Sequence, residues 1–280
     1  MNAKLVMNQV NTTTMHLLVL FLAAAFLNQA YTARELDAQV PATNFAFGTF
    51  DAQSCSSSSN LLCTGSVTAG NGFLSLTPEP SLLSGYPKNQ VGRVLYRQPV
   101  VAWPAFISTT FKFKIMGAPN SPAGDGMTFI FAPDNSPSPP GSTGFNLGIV
   151  PDSDGASNVR QLVLELDTYK NGFDIDGNHI SVDTISVDKP LITASLNSSG
   201  VDLKSGKDIV VQINYNSWTK WLEVYASYVS DPPAKILALQ IDIAATIPNS
   251  VYVGFTAATG SLAESHQLLG WEFKSNTKSN

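Results

Sequence analysis

An antiparallel β-sandwich is the fold this sequence predicts, on three observations. About a dozen short segments alternate apolar and polar residues with the two-residue period of a strand. Charged residues make up only 13% of the chain, and Ser, Thr, Asn, Gly and Pro fill the intervals as turn residues do. The most helix-like apolar stretch lies at the N-terminus, outside the alternating region. A chain of 280 residues has room for one large all-β domain or two small ones, and no internal repeat or linker divides this one. A net charge of −5 without a basic cluster excludes nucleic acid as a partner, because nothing supplies a phosphate footprint.

In chain order, the run LLVLFLAAAFL (17 to 27) is too short to span a bilayer as a helix, and Lys4 precedes it while small residues follow. This reads as a signal peptide over residues 1–30, cleaved after Ala30 or alternatively after Ala33. Residues 31–43 are expected to be a flexible lead-in, 44–275 the folded domain, and 276–280 a flexible tail. No later stretch is apolar enough to span a membrane, so the expected destination is the extracellular space, or a vacuole. In an oxidising compartment Cys55 and Cys63 are expected to pair across CSSSSNLLC. Asn197-Ser-Ser supplies a glycosylation acceptor.

The strands follow. Phe45 and Phe47 share one face of the first, and Leu74 and Leu76 alternate just before Pro78. GRVLYRQPVVAW breaks at Pro99. Thr109, Phe111, Phe113 and Ile115 line one face of the next strand, and Met127, Phe129 and Phe131 one face of its successor. Later sets are Ile209, Val211, Ile213 and Tyr215, then Leu222, Val224 and Ala226, then Val251, Val253 and Phe255. So many short alternating strands with regular turns predict two packed sheets.

The segment LVLELDTYKNGFDIDGNHISVD (Leu162 to Asp183) carries the chemistry. Alternation puts Leu162, Leu164 and Leu166 on one face and Glu165 and Asp167 on the other. A polar loop then holds Asn171, Asp174 and Asp176, and His179 opens a second alternating run. If the two runs pair, several carboxylates and one imidazole converge, and a cation is the simplest stabilising partner. Oxygen ligands suit Ca²⁺, and an imidazole beside carboxylates suits Mn²⁺ or a similar ion, so the stretch reads as a two-metal site. A solvated acidic loop is the plainer alternative. An EF-hand fails, because its sixth position would be His179 rather than Gly and its twelfth Ile185 rather than Glu. A jelly-roll glycosidase would need a carboxylate where Lys170 stands, so catalysis is not expected.

ELDTYKN, the following Asp and HISVD resemble the metal-binding segment of the legume-type (L-type) plant lectins. GRVLYRQPVVAW, FISTTFKFKI, DGMTFIFAP, GSTGFNLGIVPD and VYVGFTAATG with LGWEFKS extend the resemblance in the right order over nearly the whole mature chain. The last segment is similar to the lectin domains of plant receptor kinases, although no transmembrane helix or kinase follows. The resemblance implies the jelly roll of concanavalin-A-like lectins. It also implies Glu165, Asp167, Asp174 and His179 as transition-metal ligands, and Asp167, Asp174, Asn171 and the Tyr169 carbonyl as calcium ligands. The loop after Asn171 is shorter than the family's, and Asp176 is the alternate for the shared position.

The resemblance further implies a sugar site from four loops. Asp125 would accept sugar hydroxyls, with a cis peptide before it. The N–H of Gly144 would donate, as would those of Ser261 and Leu262, while Asn171 and the Tyr169 ring complete the grip. The short fourth loop (Gly260 to His266) tilts the expectation toward mannose or glucose over galactose, and His266 reads as structural. A secreted, metal-dependent glycan- or glycoprotein-binding protein without catalysis is the function so implied, as a homodimer or homotetramer. The alternatives are a sugar-inactive relative in defence, storage or protein interaction, or a jelly-roll glycoside hydrolase.

Overall fold

A computed structural model describes residues 42–83, 85–151 and 160–277. The expected signal peptide and most of the expected lead-in lie outside them. Two eight-stranded sheets account for the described strands. The back sheet orders Ala234–Gln240 (β14), Trp221–Tyr228 (β13), Ile209–Asn216 (β12), Phe106–Gly117 (β7), Glu264–Asn276 (β16), Phe73–Ser75 (β4) and Thr68–Gly70 (β3), with Thr43–Phe47 (β1) also on β16. The front sheet orders Ile192–Ser195 (β11), His179–Asp183 (β10), Leu162–Asp167 (β9), Gly126–Ala132 (β8), Ser250–Ala258 (β15), Val91–Tyr96 (β5) and Leu61–Gly65 (β2), with Val100–Val101 (β6) also on β15. Neighbouring strands pair antiparallel, as the alternation predicts.

Between the sheets lies the apolar core, built from the residues that alternation selects. Phe111, Phe113, Phe129, Phe255 and Trp271 are buried together, with ring centroids 5.3 Å apart for Phe129–Phe255 and 5.0 Å for Phe255–Trp271. Removing one such ring costs about 3–5 kcal/mol. The disulfide expected between Cys55 and Cys63 is formed, with Cα atoms 5.5 Å apart.

Two corrections concern the ends of the domain. Thr43, expected in the flexible lead-in, pairs with Ser275, and Asn276, expected in the tail, pairs with Phe106. Their backbone groups complete the ladder of β16, which holds both ends against the back sheet.

The front sheet is buried on both faces at its centre: every residue of β8 and β9 is buried. A second apolar cluster explains this. Leu95, Ile130 and Val163 face away from the main core and are covered by Leu147, Ile149 and Val150. The same outer face carries a polar row whose register runs Ser181, Glu165, Thr128, Thr256, Arg93 and Thr64 across six strands. Buried polar groups on a sheet face need partners, and this row positions the functional chemistry.

Candidate functional site

Asp167 ends β9 and lies directly opposite His179, the first residue of β10. The intervening loop folds back so that ligand atoms of Asp167, Asp174 and His179 all lie within 4.8 Å of one another. Backbone donors hold that shape. Tyr169 N–H donates to Asp167 Oδ1 at 2.7 Å, and Asn171 N–H to Asp174 Oδ2 at 2.6 Å. His179 Nδ1 lies 2.8 Å from the Asp176 carbonyl oxygen. A carbonyl only accepts, so Nδ1 carries the proton and Nε2 keeps its lone pair for a cation.

The alternate ligand Asp176 lies outside this group and is engaged by other partners. Its Oδ2 accepts from Ser195 Oγ at 2.5 Å and Asn197 Nδ2 at 3.1 Å, and its Oδ1 from Asn178 N–H at 2.9 Å. Asp176 braces the loop, and Asp174 is the one of the two that stands with Asp167 and His179. Glu165 also departs from expectation. It lies one row behind the trio, where its Oε2 accepts the Ser181 hydroxyl and Asp183 shares a side-chain hydrogen bond with it. The structure gathers three of the four expected transition-metal ligands and leaves Glu165 bonded to its strand neighbour.

The electrostatics match a cation site. Burial first, then Glu165 and Asp174, push the Asp167 carboxyl up to about 10. Burial pushes Glu165 up to about 7, and raises Asp174 and Asp183 as well. Asn171 Oδ1 is buried without a hydrogen bond. Two carboxylates, an imidazole and an orphaned amide oxygen fit a divalent cation, which relieves the repulsion that protonation otherwise relieves.

Asp125 stands next to this corner. Its N–H donates to Ala258 O at 3.2 Å, and its own carbonyl accepts from Thr168 N–H at 3.1 Å. The Gly124–Asp125 peptide is cis, as expected. Glycines let the loops close on the carboxylate. A Cβ at Gly260 would fall 2.9 Å from Asp125 Oδ2, and one at Gly124 would fall 2.8 Å from Tyr169 Cβ. Asp125 is 8% exposed, and its Oδ2 is buried without a partner. Burial, then Glu264, push its carboxyl up to about 6, against a smaller downward pull from His266 and Gly260 N–H.

Of the other expected sugar contacts, Tyr169 is partly exposed at the rim. Ser261 and Leu262 sit in a turn closed by Gly260 N–H to Leu262 O at 3.1 Å. Gly144 is corrected: its N–H donates to Thr259 O at 3.2 Å, so the loop closure itself uses that donor. Asn197 lies exposed on a single 3₁₀ turn.

Sequence reasoning missed several contributors. Phe145 and Phe173 are exposed at the rim, their rings 6.2 Å apart and edge to face. Their position beside Gly144 and inside the metal loop was the available signal. Beneath the site, buried Glu264 accepts from Thr168 Oγ1 and lies 3.0 Å from His266 Nε2, while His266 Nδ1 meets Thr77 Oγ1 at 2.8 Å. That network gives His266 the structural role expected of it. Lys204 bonds the Thr168 carbonyl and Asn178 bonds Val201 O at 2.8 Å, so a distant loop braces the metal loop.

Comparison with known proteins agrees with this geometry. Residues 42–280 match the profile described as the legume lectin domain. Anti-H(O) lectin 1 of Cytisophyllum sessilifolium is 36% identical over 203 residues, covering 68% of this chain and 81% of that protein. The L-type lectin-domain containing receptor kinase VIII.2 of Arabidopsis thaliana is 30% identical over 276 residues, which is 95% of this chain and only 35% of the kinase. Among solved structures, the winged bean acidic lectin complexed with methyl-α-D-galactose superposes with a TM-score of 0.73 at 28% identity, covering 85% of this chain and all of that one.

Proposed function

The chain belongs to the legume lectin domain family, and from that premise we propose that it is a secreted, cation-dependent carbohydrate-binding protein without catalysis. The observation that carries this reading is the Asp125 carboxylate, buried at the meeting point of the loops with one oxygen unpartnered. Such an acceptor suits sugar hydroxyls, which donate to a carboxylate more strongly than to a neutral oxygen. The Asn171 side chain and the turn at Ser261 and Leu262 supply further polar contacts, and Tyr169 offers a ring face to the sugar C–H groups. Phe145 and Phe173 extend that apolar rim.

Asp167, Asp174 and His179 would hold the transition ion, with Asn171 and the Tyr169 carbonyl toward calcium. The cations supply fixed positive charge that locks the Tyr169–Asn171 loop in its binding shape, so less ordering entropy is lost when the sugar arrives. A mannose or glucose preference follows from the short fourth loop, and galactose, seen in the winged bean lectin, is the sugar to test against it. The described residues contain no helix long and apolar enough to cross a membrane. A glycan array probed with the wild type and with Asp125→Ala tests the proposal. Signal on mannose- or glucose-terminated glycans that vanishes in the variant supports it, and equal signal from both proteins overturns the site.

A further inference from the structure

A second cavity, of about 250 Å³, opens on the front sheet away from the acidic corner and is lined by Thr64, Asn89, Arg93, Ser138, Ser142 and Thr143. Its floor is Arg93, which stands in the outer polar row between Thr64 and Thr256. Arg93 is 6% exposed, and its Nε is buried without a hydrogen bond. The Ser138 hydroxyl, in the wall of the same cavity, is also buried without a partner. Asp134 is the carboxylate that acts on Arg93, but it sits on an exposed turn bonded to Ser136 N–H at 2.9 Å. Among the described residues no ion pair includes Arg93.

A guanidinium stays charged at any physiological pH, and a buried charge without a counter-ion is strongly disfavoured. Arg93 and Ser138, each with a buried polar atom left without a hydrogen bond, both line this one cavity, and that pairing suits an oxyanion. The planar fork of Arg matches a carboxylate, and the surrounding hydroxyls and amide match the polar rim of a sugar ring. Two residues of its lining adjoin loops of the lectin site. Thr143 directly precedes Gly144, and Asn89 N–H donates to the Gly260 carbonyl at 3.1 Å.

We propose that the Arg93 cavity is an oxyanion subsite that takes the carboxylate of a uronic acid unit. That the carboxylate belongs to a sugar rests on the lectin reading above; that the cavity takes an oxyanion does not.

The test is calorimetric titration with methyl β-D-glucuronide, methyl β-D-glucoside and sodium sulfate, on the wild type and on Asp125→Ala, with a crystal soaked in each ligand. In Asp125→Ala, where the primary site is disabled, the glucuronide is expected to bind about tenfold or more tightly than the glucoside, and to weaken as salt is raised. Arg93→Gln removes this binding. Should that variant fail to fold, Ser138→Ala is expected to weaken the glucuronide several-fold and leave the wild-type affinity for neutral hexose unchanged. Equal titration of glucuronide and glucoside overturns the proposal, as does sulfate binding without glucuronide binding, or a soak that shows only water at Arg93. Glucuronide seated on Arg93 in a protein that ignores neutral hexoses would keep the subsite and remove the lectin reading.

Discussion

The two ends of the polar row on the front sheet are built in opposite ways. At one end Glu165, with Asp167, Asp174 and Asp183 close by, packs carboxylates so tightly that burial and mutual repulsion raise their pKa values. At the other end Arg93 is a buried cation with no close counter-ion. Their strands, β9 and β5, are separated by β8 and β15. At about 4.8 Å per strand the charges stand roughly 14 Å apart, too far for a hydrogen-bonded ion pair. Thr128 and Thr256 lie between them, sharing a hydrogen bond of 2.6 Å. The ends do not pair with one another, and the two proposals assign each a ligand of opposite sign: a divalent cation at the acidic end and an oxyanion at the basic end.

The largest effect should come from the acidic side. Asp125→Asn is expected to lower hexose affinity at least about a hundredfold, because a buried charged acceptor is lost. Its folded pKa of about 6 lies above the ordinary 3.8. Stability therefore falls as pH rises from about 4 to about 6 and stays lowered above that, and the neutral variant should match or exceed the wild type in Tm at pH 7. A variant that unfolds instead would break the comparison. Next in size, Asp174→Asn should weaken divalent cation binding about tenfold to a hundredfold, whereas Asp176→Asn should change it less. Titration of both variants checks this, and equal losses would return Asp176 to the site. Arg93→Gln should leave both readouts alone.

A pH series sharpens the same contrast. The Asp125 carboxylate must be ionised to accept hydroxyls, so hexose affinity should drop about tenfold between pH 7 and pH 5 as the group protonates near 6. Measuring at saturating cation keeps loss of metal from mimicking the effect, and a flat profile would mean that Asp125 is not the acceptor. The smallest change is expected far from either end. Replacing Cys55 and Cys63 by Ser should lower stability by about 2–3 kcal/mol on the loop-closure account, with hexose affinity unchanged. Chemical denaturation with a parallel binding assay reads both.

Much of this architecture was legible from alternation. Thr109, Phe111, Phe113 and Ile115 face the core as their spacing predicts, and so do Leu222, Val224 and Ala226. The pairing of Asp167 with His179 likewise follows from two alternating runs joined by a polar loop. What escaped the sequence depends on chain segments that meet from afar. The outer face of β8 and β9 is buried only because Leu147, Ile149 and Val150 fold over it, so a period-two pattern could not show that Glu165 lies in a dry environment. Arg93 was unremarked for the same reason, since Ser138 and Thr143 in its cavity lie more than forty residues onward. Asp176 is drawn away from the Asp167–Asp174–His179 group by Ser195 and Asn197, whose arrival on the neighbouring strand and turn no local spacing shows. The partner of Gly144 was likewise hidden, because Thr259, whose carbonyl accepts its N–H, arrives from more than a hundred residues onward.

Hexose affinity measured on one preparation, first stripped of metal by chelator at low pH and returned to neutral pH, then titrated with Ca²⁺ and Mn²⁺, addresses the main claim most directly. If cations at Asp167, Asp174 and His179 shape the grip beside Asp125, affinity will be absent in the stripped protein and will return in step with metal occupancy. Full affinity in protein shown to be free of metal would contradict it.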